Sequence, residues 1–282
     1  MSDGILLTVD NLTVRYRNTT APSVNGVSLS VREGQILGLI GESGSGKTSL
    51  ARAIMRALPA AGEVTGGTVH FRGKSLLEMD RRALRAIQGT EFGMILQQSL
   101  SSLNPVYRVG AQFVRLLGEK LGQTKAESLD TARDFLRRLN CPSDVLSRYP
   151  FQLSGGQRQR VLIAMAFALG PKLLIADEPT TALDVSTQAQ VLREMGALRD
   201  EFGTGILLIS HNLGLVSQLC DDISVMARGN VIESGRTDTV LSEPSRAYTK
   251  ALLGCMPHLD ADRSRRLTTI PEGGLCFAGD RA

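Results

Sequence analysis

Two segments near the start of the chain alternate between apolar and polar residues. The apolar positions are Leu12, Val14 and Tyr16 in the first segment and Val27, Leu29 and Val31 in the second. An alternation with period two predicts half-buried strands. The mostly apolar residues 35–40 predict a third strand that leads into a glycine-rich turn, and residues 49–58 beyond the turn predict a helix.

The middle of the chain has helical periodicity and no strand signal. Between residues 109 and 148, Phe113, Leu116 and Leu117 recur at helical spacing, which predicts a helical insertion. Elsewhere strands are predicted at residues 68–71, 92–96, 173–176 and 206–209, helices at 81–86, 157–169 and 186–202, and a terminal hairpin at 225–232. This alternation indicates an α/β domain with a mainly parallel sheet that is covered on both faces.

Composition changes this picture only slightly. The chain has 282 residues, of which 42% are hydrophobic and 21% charged, as in an ordinary soluble globular protein. The net charge of +4 is mild and does not by itself indicate a nucleic-acid surface. The four cysteines form no CxxC pair, which favours a reduced chain. The longest apolar run, residues 161–169, is about half of the ~20 residues that a membrane-spanning helix needs, so a peripheral role is expected at any membrane.

Residues 41–48 read GESGSGKT and match the pattern GxxxxGK[ST] between a predicted strand and a predicted helix. Glycines let the backbone curl around phosphates, so that N–H groups and the helix N-terminus face the anion. Lys47 would supply positive charge to the β- and γ-phosphates, and the Thr48 hydroxyl could bind Mg²⁺. The predicted nucleotide-binding residues of this segment are Gly41, Ser43, Gly44, Ser45, Gly46, Lys47, Thr48 and Ser49.

Two acids follow the apolar strand predicted at residues 173–176, namely Asp177 and Glu178. The carboxyl end of a buried strand points into the ligand crevice of an open α/β sheet. Asp177 is therefore expected to hold Mg²⁺ through water, and Glu178 to act as the general base on the attacking water.

A second candidate anion site follows from Leu153-Ser154-Gly155-Gly156-Gln157, which opens a helix. A helix that begins with serine and two glycines exposes backbone N–H groups to an anion. One chain thus has two phosphate-binding helix ends but a single nucleotide loop. Two such chains meeting head to tail, each completing the other's site, would explain both. The alternative for Ser154, Gly155 and Gly156 is an N-cap with a glycine-rich turn before an ordinary helix.

With these motifs the chain resembles the ATP-binding subunits of ABC transporters over about residues 5–255. The resemblance implies an α/β P-loop NTPase of the ABC cassette type, with a mainly parallel core sheet, an N-terminal antiparallel β subdomain and a helical signature subdomain. It implies a nucleotide-binding domain over residues 1–255, its helical subdomain at about 98–165, and a C-terminal tail at 256–282.

The resemblance also assigns roles to single residues. Glu178, His211 and Lys47 are implied as catalytic, with His211 sensing the γ-phosphate. Tyr16 is implied to stack on adenine, and Gln97 to touch Mg²⁺ and report to the permease. The implied metal ligands are Thr48, Gln97 and Asp177. Residues 181–184 resemble the D-loop, with Asp184 as its acid, and Ser154, Gly155, Gly156 and Gln157 are implied to contact the ATP of a partner cassette.

Three further segments, residues 102–105, 149–150 and 247–253, resemble the importers of dipeptides, oligopeptides and nickel. One departure is that Gln98 and Ser99 follow Gln97 where the family usually has an acid and a proline, which bears on the permease contacts. Some relatives end in a cysteine-rich tail, whereas this chain has only Cys276 beyond residue 270. Because a cluster normally needs four thiolates, no iron–sulfur cluster is expected.

The implied function is the ATP-hydrolysing subunit of a binding-protein-dependent importer for di- or oligopeptides, or for nickel or metal chelates. ATP and Mg²⁺ are its implied cofactors. Its implied partners are two integral membrane permeases, a second ABC ATPase subunit, with a heterodimer favoured over a homodimer, and an extracytoplasmic binding protein; no nucleic acid is expected. The implied location is the cytoplasmic face of the inner membrane.

The alternative is a non-transport ABC ATPase that acts on nucleic acid or on ribosomes. The DNA-repair type inserts a long coiled coil before the signature, and no sustained heptads occur there. The ribosome type carries two cassettes in one chain, whereas one is found here. An exporter cassette is a lesser alternative, and a P-loop kinase or GTPase would not explain LSGGQ.

Overall fold

The structure is a computed structural model that describes residues 4–17, 19–96, 102–180 and 183–255. Its strands are β1 (Ile5–Tyr16), β2 (Val24–Arg32), β3 (Ile36–Ile40), β4 (Gly62–Phe71), β5 (Lys74–Ser75), β6 (Phe92–Ile95), β7 (Leu173–Asp177), β8 (Gly205–Ser210), β9 (Asp222–Ala227) and β10 (Asn230–Arg236). Its helices are α1 (Lys47–Ile54), α2 (Arg81–Ile87), α3 (Val109–Leu121), α4 (Lys125–Arg138), α5 (Gly155–Ala168), α6 (Val185–Phe202), α7 (Leu213–Leu219), α8 (Thr237–Ser242) and α9 (Ala247–Gly254).

Two sheets form the α/β part of the molecule. The core sheet has the order β10-β9-β3-β8-β7-β6, and all its neighbours are parallel except the β9–β10 hairpin. The second sheet has the order β2-β1-β4-β5 and is antiparallel. The predicted fold class is confirmed by this arrangement.

The core sheet is buried on both faces, as strand β3 shows. Its five residues are all buried. Ile36 and Ile40 belong to the apolar cluster on the side of α5, α6 and α7, whereas Leu37 and Leu39 belong to the cluster that includes α1 and the antiparallel sheet. A strand that is covered twice has no polar face, and this accounts for its continuous apolar sequence.

The helical insertion consists of α3 and α4, which pack on each other and on α5. Phe113 and Leu117 of α3 and Leu136 of α4 are fully buried in the cluster shared with α5. Helix α4 begins with a capping box, in which Thr124 and Glu127 satisfy each other's backbone N–H groups. The insertion predicted from the periodicity of residues 109–148 is therefore confirmed.

A buried ion pair connects this insertion to the core through helix α6. Arg160 of α5 donates from Nε to Glu194 Oε2 of α6 at 2.9 Å, and the two side chains are 12% and 7% exposed. Asn140, just after α4, donates to Glu194 Oε1 at 3.0 Å, and Gln190 donates to the same oxygen at 3.1 Å. Three elements therefore meet at one carboxylate.

The element boundaries differ from the predicted ones where glycine or backbone strain intervenes. Helix α1 begins at Lys47, two residues earlier than predicted, and ends at Ile54 because Arg56 takes a left-handed conformation with φ of +52°. Only part of strand β4 was predicted, because its glycines weaken the strand signal in the sequence. Helices α7, α8 and α9 were not predicted, since each has eight residues or fewer and shows little periodicity.

The predicted division at residue 255 coincides with the end of the described chain, and the tail lies outside it. The domain boundaries therefore stay a prediction. In the part of the chain that the structure describes, none of the helices combines the length and the apolar character needed to cross a membrane.

Candidate active site

The loop of residues 41–48 connects β3 to α1, so its backbone lies at the carboxyl end of the core sheet. Lys47 is 5% exposed, and its Nζ donates to the carbonyl oxygens of Gly41 at 2.8 Å and Glu42 at 2.7 Å. A third hydrogen bond reaches the hydroxyl of Ser45 at 3.2 Å. The ammonium group is therefore held inside the curl of the loop, where phosphates would be bound.

Two glycines of the loop are required by close backbone contacts. Gly41 has φ of +153°, and a Cβ on it would overlap the carbonyl oxygen of Met226 in β9. Gly46 has φ of +108°, and a Cβ there would overlap the carbonyl oxygen of Ser23. The loop is therefore supported from behind by β9 of the core sheet and by the residue that precedes β2, and neither position can accept a side chain without a backbone shift.

Burial sets the electrostatics of the loop lysine. Removal from water lowers the pKa of Lys47, while the nearby carboxylates of Glu178, Asp177 and Glu42 act in the opposite direction. Anions near this position stabilise the charged ammonium group. The negative charge of a bound phosphate would therefore raise the pKa of Lys47, as those carboxylates do.

Two of the three residues predicted to hold Mg²⁺, Thr48 and Asp177, meet at the end of β7. The Thr48 hydroxyl donates to Asp177 Oδ1 at 3.3 Å. Asp177 is 1% exposed, and its other oxygen, Oδ2, is buried and has no hydrogen-bond partner among the described residues. Burial raises the pKa of this carboxyl group. A buried carboxylate oxygen and a hydroxyl at one place suit a hard cation with bound water. Gln97, the third predicted ligand, lies outside the described residues.

Glu178 and His211 form the second half of the site. Their parent strands, β7 and β8, are parallel neighbours, so the residues that follow them lie side by side. His211 Nδ1 is 2.9 Å from Glu178 Oε1; because a carboxylate can only accept, the ring donates from Nδ1 and keeps Nε2 for another partner. Glu178 has φ of +47°, and its backbone N–H donates to Ile209 O at 2.9 Å, which fixes the direction of its side chain.

Tyr16, at the end of β1, is brought to the start of α1. Its hydroxyl is 3.1 Å from the Ser49 hydroxyl. The ring lies beside Gly62 of β4, where an added Cβ would come within 2.8 Å of Tyr16 Cε1. The residue predicted to stack on adenine thus contacts the first turn of α1, directly after the loop of residues 41–48.

Ser154 is the N-cap of helix α5, which is the alternative that the sequence left open, and the N-terminal N–H groups of the helix are not all free. The Ser154 hydroxyl accepts from Gln157 N at 3.2 Å, and Gln157 Oε1 accepts from Ser154 N at 3.0 Å. This capping box occupies two donors. The N–H groups of Gly155 and Gly156 lie in the first turn, where a helix supplies no carbonyl partner.

Asp184 of the predicted D-loop caps helix α6. It accepts from Thr187 N at 3.0 Å, from Thr187 Oγ1 at 2.7 Å and from Ser186 Oγ at 2.6 Å. These hydrogen bonds, led by that of Ser186, hold the pKa of Asp184 far below its usual range. The first two residues of the predicted D-loop lie outside the described residues.

Comparison with known families agrees with this geometry. The family model of the ABC transporter domain matches residues 24–181, which include the phosphate loop, the signature and the two acids. The chain belongs to the ABC transporter family. The family membership predicted from the resemblance is thereby confirmed.

Curated relatives of this ABC protein include a probable D,D-dipeptide transport ATP-binding protein of Escherichia coli (strain K12), 42% identical over 276 residues that cover 94% of this chain and 84% of the relative. An oligopeptide transport ATP-binding protein of Salmonella typhimurium (strain LT2) is 40% identical over 269 residues, which cover 94% and 80%. Among solved structures, a dimeric ATP-binding cassette in a post-hydrolysis state bound to ADP and Pi has a TM-score of 0.74 and 25% identity, covering 82% of this chain and 99% of its own.

Sequence reasoning missed one side chain that touches the loop of residues 41–48. Tyr248 of α9 is buried, and its hydroxyl oxygen is 3.4 Å from Glu42 N. The segment that contains it is part of the sequence resemblance, but nothing in its pattern indicated which part of the fold it contacts.

Proposed function

We propose that the chain is the ATP-hydrolysing subunit of an ABC importer for di- or oligopeptides, with nickel or metal chelates as the other substrate class. The observation that carries the proposal is the pairing of Glu178 with His211 beside a buried Lys47 and Asp177. The relatives named for peptide and dipeptide transport support the substrate class.

In this proposal ATP is bound by the phosphate loop. Lys47 exchanges its loop carbonyls for the β- and γ-phosphates, and the adenine stacks on Tyr16. The loop residues that surround the phosphates are Gly41, Ser43, Gly44, Ser45, Gly46, Thr48 and Ser49. Thr48 and Asp177, with Gln97, would hold Mg²⁺, which neutralises phosphate charge when bound.

Glu178 acts as the general base in this proposal. It accepts a proton from the attacking water, because its carboxylate is directed into the site by its fixed backbone. His211 orients that carboxylate through Nδ1 and can contact the γ-phosphate through Nε2. Such positioned acid–base groups contribute typically 10²–10⁴-fold to a rate.

A second cassette completes the site. The first turn of its signature helix, equivalent to Ser154–Gln157 here, closes on the γ-phosphate, while Asp184 lies at the junction. The support is that this chain has a glycine-rich helix end besides its nucleotide loop. We favour a related but distinct partner cassette over a second copy of the same chain.

The region of residues 97–105, of which the structure describes 102–105, is proposed to contact the permeases from the cytoplasmic face of the membrane, together with the exposed residues 106–108 and 149–151. Val106 and Phe151 are large apolar residues that are each 69% exposed. Tyr149 stacks on Phe151 with ring centroids 5.5 Å apart, and the Arg108 guanidinium lies 5.4 Å from the Tyr149 ring. These contacts bring residues 106–108 and residues 149–151 onto one exposed surface.

The tagged chain is expected to co-purify, from detergent-solubilised membranes of its native host, with two permeases and a second ABC cassette. The associated binding protein can then be screened with peptides and metal chelates. Phe151→Ser should reduce the recovery of permeases and leave ATP binding unchanged. Recovery with ribosomes or DNA, and without integral membrane proteins, would contradict the transport function and not the ATPase chemistry.

Lys47→Ala is expected to weaken nucleotide binding roughly 10- to 100-fold, since hydrogen bonds to charged groups contribute about 1.5–3 kcal/mol. The dissociation constant of Mg-ADP, measured by calorimetry, checks this. Lys125→Ala, at an exposed helix start, is the matched control and should bind as the wild type does. Equal affinity in both variants would show that the phosphate loop is wrongly assigned.

A further inference from the structure

The peptide group between Gly41 and Glu42 is held at both of its polar ends. Its carbonyl oxygen, on Gly41, accepts from Lys47 Nζ at 2.8 Å. Its N–H group, on Glu42, donates to the Tyr248 hydroxyl oxygen at 3.4 Å. The carbonyl end is therefore held by the loop lysine. The N–H end is held by Tyr248 of the last described helix, which lies 206 positions beyond Glu42 in the chain.

Tyr248 is itself fixed. It is 5% exposed and belongs to the apolar cluster of the core sheet. Burial raises the pKa of its phenol group, so the hydroxyl is neutral at physiological pH. A neutral hydroxyl can accept from the Glu42 N–H group and still donate its own proton.

The helix that carries Tyr248 is attached to the core sheet at its N-terminal end. Glu233 of β10 accepts from Ser245 N at 2.7 Å, from Ser245 Oγ at 2.8 Å and from Arg246 N at 3.3 Å. Helix α9 starts at the next residue, Ala247. Strand β10 and the apolar core thus determine where the phenol group lies relative to the phosphate loop.

The orientation of this peptide group matters because it starts the loop. Gly41 is pressed against Met226 O from behind, and the carbonyl of Glu42 is held by Lys47. A rotation of the peptide would turn the loop's N–H groups away from a bound phosphate. Backbone donors that are fixed in advance bind an anion without the cost of ordering them.

We propose that Tyr248 is a positioning residue of the nucleotide site, through which helix α9 sets the affinity of the phosphate loop without touching the nucleotide. The proposal rests on the proposed function in one respect, that nucleotide binds at residues 41–48. By the reciprocity of linked equilibria, bound nucleotide must in turn stabilise the docking of α9.

Tyr248→Phe in the full chain tests the proposal, because it removes the hydroxyl and keeps the buried ring. The dissociation constant of Mg-ADP should rise about three- to tenfold, as expected for the loss of one neutral hydrogen bond, while kcat at saturating ATP changes less than twofold. Tyr107→Phe, at an exposed tyrosine, is the matched control and should leave the dissociation constant unchanged.

Hydrogen exchange gives a readout that a merely structural tyrosine would not move. In the wild type, Mg-ADP should slow amide exchange in residues 247–254, and in Tyr248→Phe this nucleotide-dependent slowing should be lost. Unchanged affinity in Tyr248→Phe, or an equal change in Tyr107→Phe, overturns the positioning role. If the wild type itself did not bind Mg-ADP, the proposed function would be wrong, and this outcome is distinct from those that overturn only the positioning role of Tyr248.

Discussion

Glu178→Gln is expected to retain ATP binding and to lose most ATP turnover. Glutamine has the size of glutamate and can still accept a hydrogen bond from His211, but it is not a base that can take a proton from water. Loss of a positioned general base reduces the rate by about 10²–10⁴-fold. Phosphate release at saturating Mg-ATP measures turnover, and equilibrium binding of Mg-ATP by the same preparation measures affinity.

The same variant should accumulate the closed pair of cassettes in ATP, because closure precedes hydrolysis in the proposed function. Size-exclusion chromatography with and without ATP detects that species. Glu243→Gln makes the same chemical change at an exposed position and should hydrolyse ATP at the wild-type rate. Wild-type turnover in Glu178→Gln would remove Glu178 from the mechanism.

Glu194→Ala is expected to lower the free energy of unfolding by about 3–5 kcal/mol. The substitution leaves the Arg160 guanidinium, 12% exposed, without its carboxylate. Alanine is the best helix former, so the loss cannot come from helix propensity. Urea denaturation of the purified chain measures the change.

A double variant separates the unpaired charge from the loss of packing. Arg160→Met together with Glu194→Leu removes both charges at similar volume and should regain most of the lost stability. Asn140 and Gln190 are exposed, so their amides can turn to water. Glu119→Ala breaks an exposed pair with Arg115 and should cost less than about 0.5 kcal/mol. A small effect of Glu194→Ala, comparable to that control, would contradict the role of the buried pair.

The sequence was most informative where one local pattern determines the structure. The alternation of Leu12, Val14 and Tyr16 in β1 and the continuous apolar run of β3 identify those strands, because burial on one face or on both faces determines which positions are apolar. Strand β4 was recognised only over its last four residues, since glycines at 62, 66 and 67 carry no burial signal. Helix α9 was not recognised because eight residues are too few to show a period.

The features of the candidate site also differ in how far the sequence could predict them. Glu178 was predicted from its place after an apolar strand and His211 from the family resemblance. The structure brings them together because β7 and β8 are parallel neighbours and their carboxyl ends share one edge. The contact of Tyr248 with Glu42 could not be predicted, since it depends on how the chain returns to the loop after two hundred residues. The capping box of Gln157 was visible as a sequence pattern, S-x-x-Q, yet its residues were interpreted mainly as an anion site, with an ordinary N-cap as the alternative.

The left-handed backbone of Glu178 has a consequence for how this chain can vary. A φ of +47° costs a residue with a long side chain about 1–3 kcal/mol, and glycine avoids this cost. Glycine at this position would therefore relieve the backbone and remove the carboxylate at once. Under the proposed mechanism, selection for stability without selection for hydrolysis would therefore favour a chain that binds nucleotide and does not hydrolyse it. Lineages that have lost hydrolysis are thus expected to show glycine or asparagine here.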